Sequence, residues 1–343
     1  MNWQRLAVSD APAGAAVLDR PAPAAADAPT AAAPPALRVA DLGKGFRSGL
    51  LRRRLRGVDG VSFTVRPGEI FALLGHNGAG KTTTINCILD LCRAETGTVE
   101  IFGVDHRDAK SRLRVGYLPE RPYFFDHLTG VELLRFYGKL LDLKGADLER
   151  RIGAVLGRVG MQDRAGLRLR RMSKGMLQRL GLAQAILGDA DLLILDEPMS
   201  GLDPIGRREV RELLLELKQA GRTILLSSHI VPDVELLADT VGVLKAGRLV
   251  RTCDRAELCG GAAYVVNAGD PGRGADRWPA WLREAAPACV AGRLRIPAAD
   301  ASGLRRVLEQ CHRDGLPVDS VETRGGGLEE LFVQVHTAPE VVR

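Results

Sequence analysis

What this chain lacks narrows its function before any motif is read. No apolar run of about eighteen residues occurs among its 343 residues, which excludes a membrane-spanning helix. Aromatic residues make up only 4%, too few for a stacking platform on single-stranded nucleic acid. The six cysteines form no CxxC pair; Cys87 and Cys92 stand five apart, Cys253 and Cys259 six apart. That is neither a disulfide framework nor a zinc pattern, and the expectation is reduced thiols in a cytosolic protein. The net charge of +6 is diffuse, so no nucleic-acid partner is predicted, although an anionic partner suits it. The amino-terminal segment lacks the basic start and leucine-rich run of a secretory signal. No internal repeat is visible.

What is present is a globular composition, 45% hydrophobic and 26% charged. Residues 1–36 are rich in Ala, but Pro12, Pro21, Pro23, Pro29, Pro34 and Pro35 break any helix, so a disordered tail is expected. Leu37-Arg38-Val39 reads as a short strand. A basic segment, Arg47–Arg56, separates it from the alternating Val58–Val65 run, which stops at Arg66-Pro67-Gly68-Glu69. Antiparallel strands with a basic tip are predicted there. The Arg52–Arg56 cluster has two open readings, a solvated tip or a contact for anionic headgroups or a partner's face.

Ile70–Leu74, Leu192–Leu195, Thr223–Leu226 and Val241–Leu244 are compact apolar runs of the kind buried on both faces of a parallel sheet. Helical patterns lie between them, as in Arg208–Gln219 with Val210, Leu213, Leu214 and Leu217 on one face. The fold class is therefore α/β. Residues 128–160 have helical periodicity without a strand signal, a candidate helical insertion. Beyond about residue 254 glycines and prolines mark a linker. Ser302–Cys311 reads as a helix among two or three short strands, so a small α+β appendage over 262–336 is expected.

Gly75-His76-Asn77-Gly78-Ala79-Gly80-Lys81-Thr82 fits GxxxxGK[ST]. Its glycines allow backbone N–H groups to turn toward phosphate oxygens. Lys81 adds a point charge at the β- and γ-phosphates, and the Thr82 hydroxyl suits Mg²⁺. The motif follows a buried strand and opens a helix, whose N-terminus favours an anion. The Leu192–Leu195 run delivers Asp196 and Glu197 to the carboxyl end of a strand, where ligand sites of open α/β sheets lie. Asp196 suits Mg²⁺ through water, and Glu197 is placed to polarise an attacking water. An acidic pair that merely ends a strand is the plainer alternative.

Met172-Ser173-Lys174-Gly175-Met176-Leu177-Gln178-Arg179 decides the family. With the phosphate loop it makes residues 37–255 resemble the ATP-binding subunit of an ABC transporter, whose signature is usually LSGGQ followed by a Gln/Arg pair. Lys174 replaces a glycine and Met176 the glutamine; the SKGM form is similar to that of ABC-2 type exporters. The resemblance implies a P-loop ABC ATPase with an antiparallel β subdomain, a RecA-like parallel sheet core and a helical subdomain at about 121–183. It implies ATP and Mg²⁺, and two subunits paired head to tail, Ser173 and Gly175 of one closing over the γ-phosphate held by the other. Phe46 matches the aromatic that stacks on adenine, and Asn77 to Thr83 the phosphate cradle. Glu120 stands where most members have glutamine, within reach of Mg²⁺ or water. Asp203, in Ser200-Gly201-Leu202-Asp203, belongs to a loop linking the two sites. His229 matches the switch histidine at the γ-phosphate. Glu197, His229 and Lys81 are the catalytic candidates, and Thr82, Asp196 and Glu120 the metal candidates.

The expected function is the ATP-hydrolysing subunit of an exporter, peripheral at the cytoplasmic face of the cell membrane. Its expected partners are a separate transmembrane permease, met through the helical insertion, and a second copy of the chain. The ending Gly327–Val333 is similar to the LEE-VF ending of ABC-2 exporter ATPases. The alternative is a soluble ABC ATPase, such as one for iron–sulfur assembly, which the SKGM form and the appendage fit poorly.

Overall fold

The computed structural model describes residues 34–48, 53–255, 263–269, 278–285, 287–290 and 293–324, with Leu328 and Phe332. Residues 1–33 of the predicted tail and most of the Gly327–Val333 ending lie outside the described residues, as do the side chains of the Arg52–Arg56 cluster. The last residue of the predicted tail, Ala36, is buried and donates its N–H to Val65 O at 3.0 Å, so order begins before Leu37. The chain forms two compact units, divided between Arg251 and Thr252.

In the first unit, β1 (Leu37–Ser48) pairs antiparallel with β2 (Arg53–Val65) and β4 (Thr96–Ile101), and β4 with β5 (Val104–Asp105). Both strands of the hairpin extend beyond the sequence reading. β1 runs on past Val39 and β2 starts five residues before Val58, because cross-strand pairing of Phe46 with Leu55 and of Arg47 with Arg54 carries the ladder into the basic segment.

The second sheet has the order β10-β9-β3-β8-β7-β6. Its strands are β3 (Ile70–Leu74), β6 (Val115–Leu118), β7 (Leu192–Asp196), β8 (Thr223–Ser228), β9 (Thr240–Lys245) and β10 (Arg248–Asp254). β3 is parallel to β8 and β9, and β7 to β6 and β8. Every residue of β3, β7 and β8 is buried, which explains their unbroken apolar runs. Two sheets share a core in which Phe63 stacks on Phe71 at 4.9 Å.

The helices of this unit are α1 (Lys81–Ile88), α2 (Ala109–Arg112), α3 (Gly130–Leu140), α4 (Gly145–Arg158), α5 (Lys174–Ile186), α6 (Pro204–Gln219) and α7 (Val231–Leu237). α6 buries Val210, Leu213, Leu214 and Leu217, each worth about 1.5–3 kcal/mol of transfer free energy. Thr129 and Glu132 start α3 with a reciprocal capping box. No described helix is long and apolar enough to cross a membrane.

In the second unit, β11 (Ala263–Gly269), β12 (Ala288–Val290), β13 (Arg293–Ala298) and β14 (Val318–Arg324) form a sheet of order β12-β13-β11-β14. The helices α8 (Ala280–Glu284) and α9 (Ala301–Arg313) accompany it. Val266, Ala268, Leu294, Ile296, Leu282 and Cys311 make its core.

Candidate functional site

β3 ends at Leu74, and the chain turns through Gly75–Gly80 into α1. Gly78 and Gly80 have φ of +83° and +106°, a region that costs an L side chain about 1–2 kcal/mol. Gly80 is also crowded: a Cβ there would lie 2.7 Å from the Gly57 carbonyl oxygen. The Gly75 amide donates to Ser228 O at 3.2 Å, which ties the start of the loop to the end of β8. No side chain caps α1, so its first-turn amides have no side-chain capping acceptor.

Lys81, the first residue of α1, is buried. Its ammonium donates to Gly75 O at 2.6 Å and His76 O at 3.3 Å, which fixes Nζ inside the loop. It also lies 3.2 Å from Glu197 Oε1, an ion pair rather than an aligned hydrogen bond. Glu197 follows the end of β7 and is equally buried. Its φ of +50° turns the side chain away from the strand direction. Glu197 Oε2 lies 2.8 Å from Nδ1 of His229, just past the end of β8. Three neighbouring strand ends thus bring a lysine, a carboxylate and an imidazole into one line.

Asp196 is fully buried. Its Oδ1 accepts from Ser227 Oγ at 2.5 Å, and Ser227 Oγ accepts the Glu197 N–H at 2.9 Å, so one hydroxyl fixes both acidic residues. Oδ2 has no hydrogen-bond partner. Burial pushes the Asp196 carboxyl above its ordinary value; Ser227 and Thr82 pull it down, and Glu197 and Glu120 push it up. An orphaned, desolvated carboxylate oxygen beside a threonine hydroxyl fits a divalent cation. Two protein ligands completed by phosphate and water are enough for Mg²⁺. No cluster of three or more His, Cys, Asp or Glu fit for a metal exists among the described residues, so Glu120 does not complete an all-protein cage. Glu120 is half-exposed and 4.0 Å from Arg121.

Phe46 is 42% exposed, with Lys44 Nζ 5.6 Å above its ring. Gly57 connects it to the loop: a Cβ on Gly57 would meet the Phe46 ring at 2.5 Å, while the Gly57 carbonyl abuts Gly80. The ring therefore stands one residue's thickness from the phosphate loop.

Ser173, Gly175 and Asp203 lie at the starts of α5 and α6. Ser173 caps α5, accepting the Met176 N–H at 3.2 Å, and Asp203 caps α6, accepting the Gly206 N–H at 2.7 Å. A Cβ on Gly175 would lie 3.3 Å from Leu202. Two residues not singled out from the sequence complete the arrangement. Ser227 holds the acidic pair, and Gln178 Nε2 donates to the carbonyls of Glu197 (3.1 Å) and Pro198 (3.3 Å). Gln178 stands in the Gln/Arg pair that follows the signature and Ser227 at the end of an apolar run, but the contacts that give them these roles are reached only by folding.

Chemically, this is a cradle of amides and one buried ammonium for an anion, with a carboxylate and an imidazole poised at its open end. The family described as ABC transporter matches residues 58–200. YxlF of Bacillus subtilis (strain 168), called an uncharacterized ABC transporter ATP-binding protein, is 36% identical over 82% of this chain and 95% of its own. The Nod factor export ATP-binding protein I of Cupriavidus metallidurans is 38% identical over 56% of this chain and 64% of its own. A solved structure described as the ATP binding subunit of an ABC transporter superposes with a TM-score of 0.58 at 33% identity, covering 65% of this chain and 91% of that one.

Proposed function

The chain belongs to the ABC transporter ATP-binding family, and from that membership we propose that this ATPase energises an ABC-2 type exporter through a separate permease. The observation that carries the reading is the line of contacts Lys81–Glu197–His229 at the mouth of the phosphate loop, its lysine and carboxylate buried and its imidazole half-exposed. Export is favoured by the Nod factor export relative and by the SKGM form of the signature.

Loop amides from Asn77 to Thr83 and the Lys81 ammonium bind the phosphates, and Phe46 stacks on the base. Thr82 and Asp196, with Glu120 nearby, would hold Mg²⁺, which supplies charge neutralisation at the phosphate oxygens. Glu197 accepts a proton from water and aims it at the γ-phosphate in line. His229 holds Glu197 through Nδ1, and Lys81 offsets the charge that develops on the phosphoryl group. Phosphate competes with Glu197 for the Lys81 ammonium, so phosphate binding also releases a carboxylate oxygen to act as base. Ser173 and Gly175 act on the nucleotide of a second copy, head to tail, and Asp203 lies in the loop between the two sites. Closure and reopening of that dimer is the mechanical output.

The helical segment offers a surface for the permease at the cytoplasmic face of the membrane. Tyr123 is 89% exposed, and Phe125 stands edge-on to Phe136 at 6.2 Å. Exposed aromatics in a chain so poor in them mark an interaction surface. The test is to purify the full chain from detergent-solubilised membranes of its own cell. Recovery with a multi-spanning membrane protein that stimulates its ATPase activity in lipid supports the reading. Recovery only from the soluble fraction, with an iron–sulfur scaffold, contradicts it.

A further inference from the structure

Helix α5 is fastened to the turn that follows β7 at three points. Gln178 donates its side-chain amide to the Glu197 and Pro198 carbonyls. The Gly175 backbone meets the turn directly, since a Cβ there would lie 3.3 Å from Leu202 Cδ2 and 3.4 Å from Gly201 O. The third point is Lys174, whose Nζ donates to Ser200 Oγ at 3.3 Å. Its methylenes lie over Gly201: a Cβ at Gly201 would sit 2.8 Å from Lys174 Cδ, and the residue's φ of +76° independently favours glycine. The hydrogen-bonding partner of the Lys174 ammonium is thus a neutral hydroxyl. The usual signature has glycine where Lys174 stands, and glycine cannot make this link.

We infer that Lys174 is a positioning residue for ATP hydrolysis: by holding Ser200 and covering Gly201 it locks the signature turn to the turn that carries Glu197. The inference rests on the head-to-tail reading above. In that reading Ser173 serves the partner copy's nucleotide while Glu197 serves its own. The lock makes the two half-sites of one chain a single body, so docking of Ser173 on one nucleotide is felt at the base beside the other. Met176, which stands where the pattern has glutamine, brings no polar group to the turn, and Lys174 supplies one.

The experiment is steady-state ATPase kinetics of the full chain, with ATP affinity and thermal unfolding measured in parallel. Lys174→Met and Ser200→Ala are each expected to lower kcat about three- to tenfold, the range of one ordinary hydrogen bond. KM, ATP affinity and Tm should stay at the wild-type values. The double variant should be no worse than the worse single, because both changes break one link. Lys174→Arg, which keeps a cationic donor, should recover most of the rate. Multiplying effects in the double variant, or a wild-type kcat in either single, overturns the inference. Ser173→Arg separates the two levels. If it hydrolyses ATP normally, the head-to-tail reading falls and the inference falls with it. If it is inactive while Lys174→Met has the wild-type kcat, only the Lys174 inference falls.

Discussion

Lys81 Nζ and Glu197 Oε1 lie 3.2 Å apart, both side chains less than a tenth exposed, although the strands that lead to them, β3 and β7, are separated in the sheet by β8. In the proposed mechanism the pair joins the group that binds phosphate to the group that activates water. Buried charges of this kind persist only when paired, so each depends on the other. Lys81→Ala removes the cation and leaves the loop backbone intact. ATP affinity should fall by about 10²-fold, the scale of lost charge-assisted hydrogen bonds. Isothermal calorimetry measures it, and an unchanged affinity would take Lys81 out of the site.

Two glycines of the loop separate strain from crowding. Gly78→Ala and Gly80→Ala both force alanine into positive φ, at about 1–2 kcal/mol each. Nothing lies within 4 Å of a Cβ on Gly78, whereas one on Gly80 runs into the Gly57 carbonyl. Gly80→Ala should therefore lower the denaturation midpoint by more than Gly78→Ala. It should also disturb the Phe46 ring, which leans on Gly57. Equal destabilisation of the two variants would mean that the close approach at Gly57 does not hold.

Asp196 links stability to pH with a definite sign. Its carboxyl is raised above the ordinary value of 3.8, first by burial. The native state thus binds this proton more tightly than the unfolded chain does. The stability this adds is full below the unfolded value and is lost as pH rises through the folded one. At neutral pH the ionised, half-unpaired carboxylate is a burden. Asp196→Asn should then be more stable than wild type in thermal unfolding at pH 7, with the advantage vanishing toward pH 3, while its hydrolysis is lost. A variant less stable than wild type at pH 7 contradicts the assignment.

The trans role of Ser173 has its own test. Ser173→Arg subunits and Lys81→Ala subunits, each inactive alone, should regain activity on mixing. One heterodimer site then combines an intact loop with an intact signature. Failure to regain it in confirmed heterodimers counts against the trans role.

Much of this arrangement was legible because the strands that carry it are buried on both faces. Ile70–Leu74 and Leu192–Leu195 read as strands from apolar runs alone, and each ends where its chemistry begins. β6 escaped because it is four residues long and contains Gly116, which packs against α5: a Cβ there would meet the Ala185 carbonyl at 2.1 Å. β4 escaped because only Val99 and Ile101 of its six residues are buried. From the sequence Asp203 reads only as part of a loop linking two sites; in the structure it also caps α6, with Pro204 in the first helical turn. Contacts between elements were not legible. The Lys81–Glu197 pair, the Ser227 link and the Lys174–Ser200 bond all join residues far apart in the chain, and no local pattern specifies them.

The central claim is that Glu197 is the base of a site closed by a second copy of the chain. Glu197→Gln keeps the shape and leaves Lys81, Thr82 and Asp196 in place. Removing a general base slows chemistry by about 10²–10⁴-fold, while ATP binding should survive. The measurement is light scattering during size-exclusion chromatography in MgATP, with hydrolysis followed on the same samples. The account predicts a stable ATP-bound dimer for the variant, a wild-type dimer that decays as ATP is consumed, and no dimer in ADP. A variant that hydrolyses ATP at the wild-type rate, or one that binds ATP and stays monomeric even with its permease present, would contradict it.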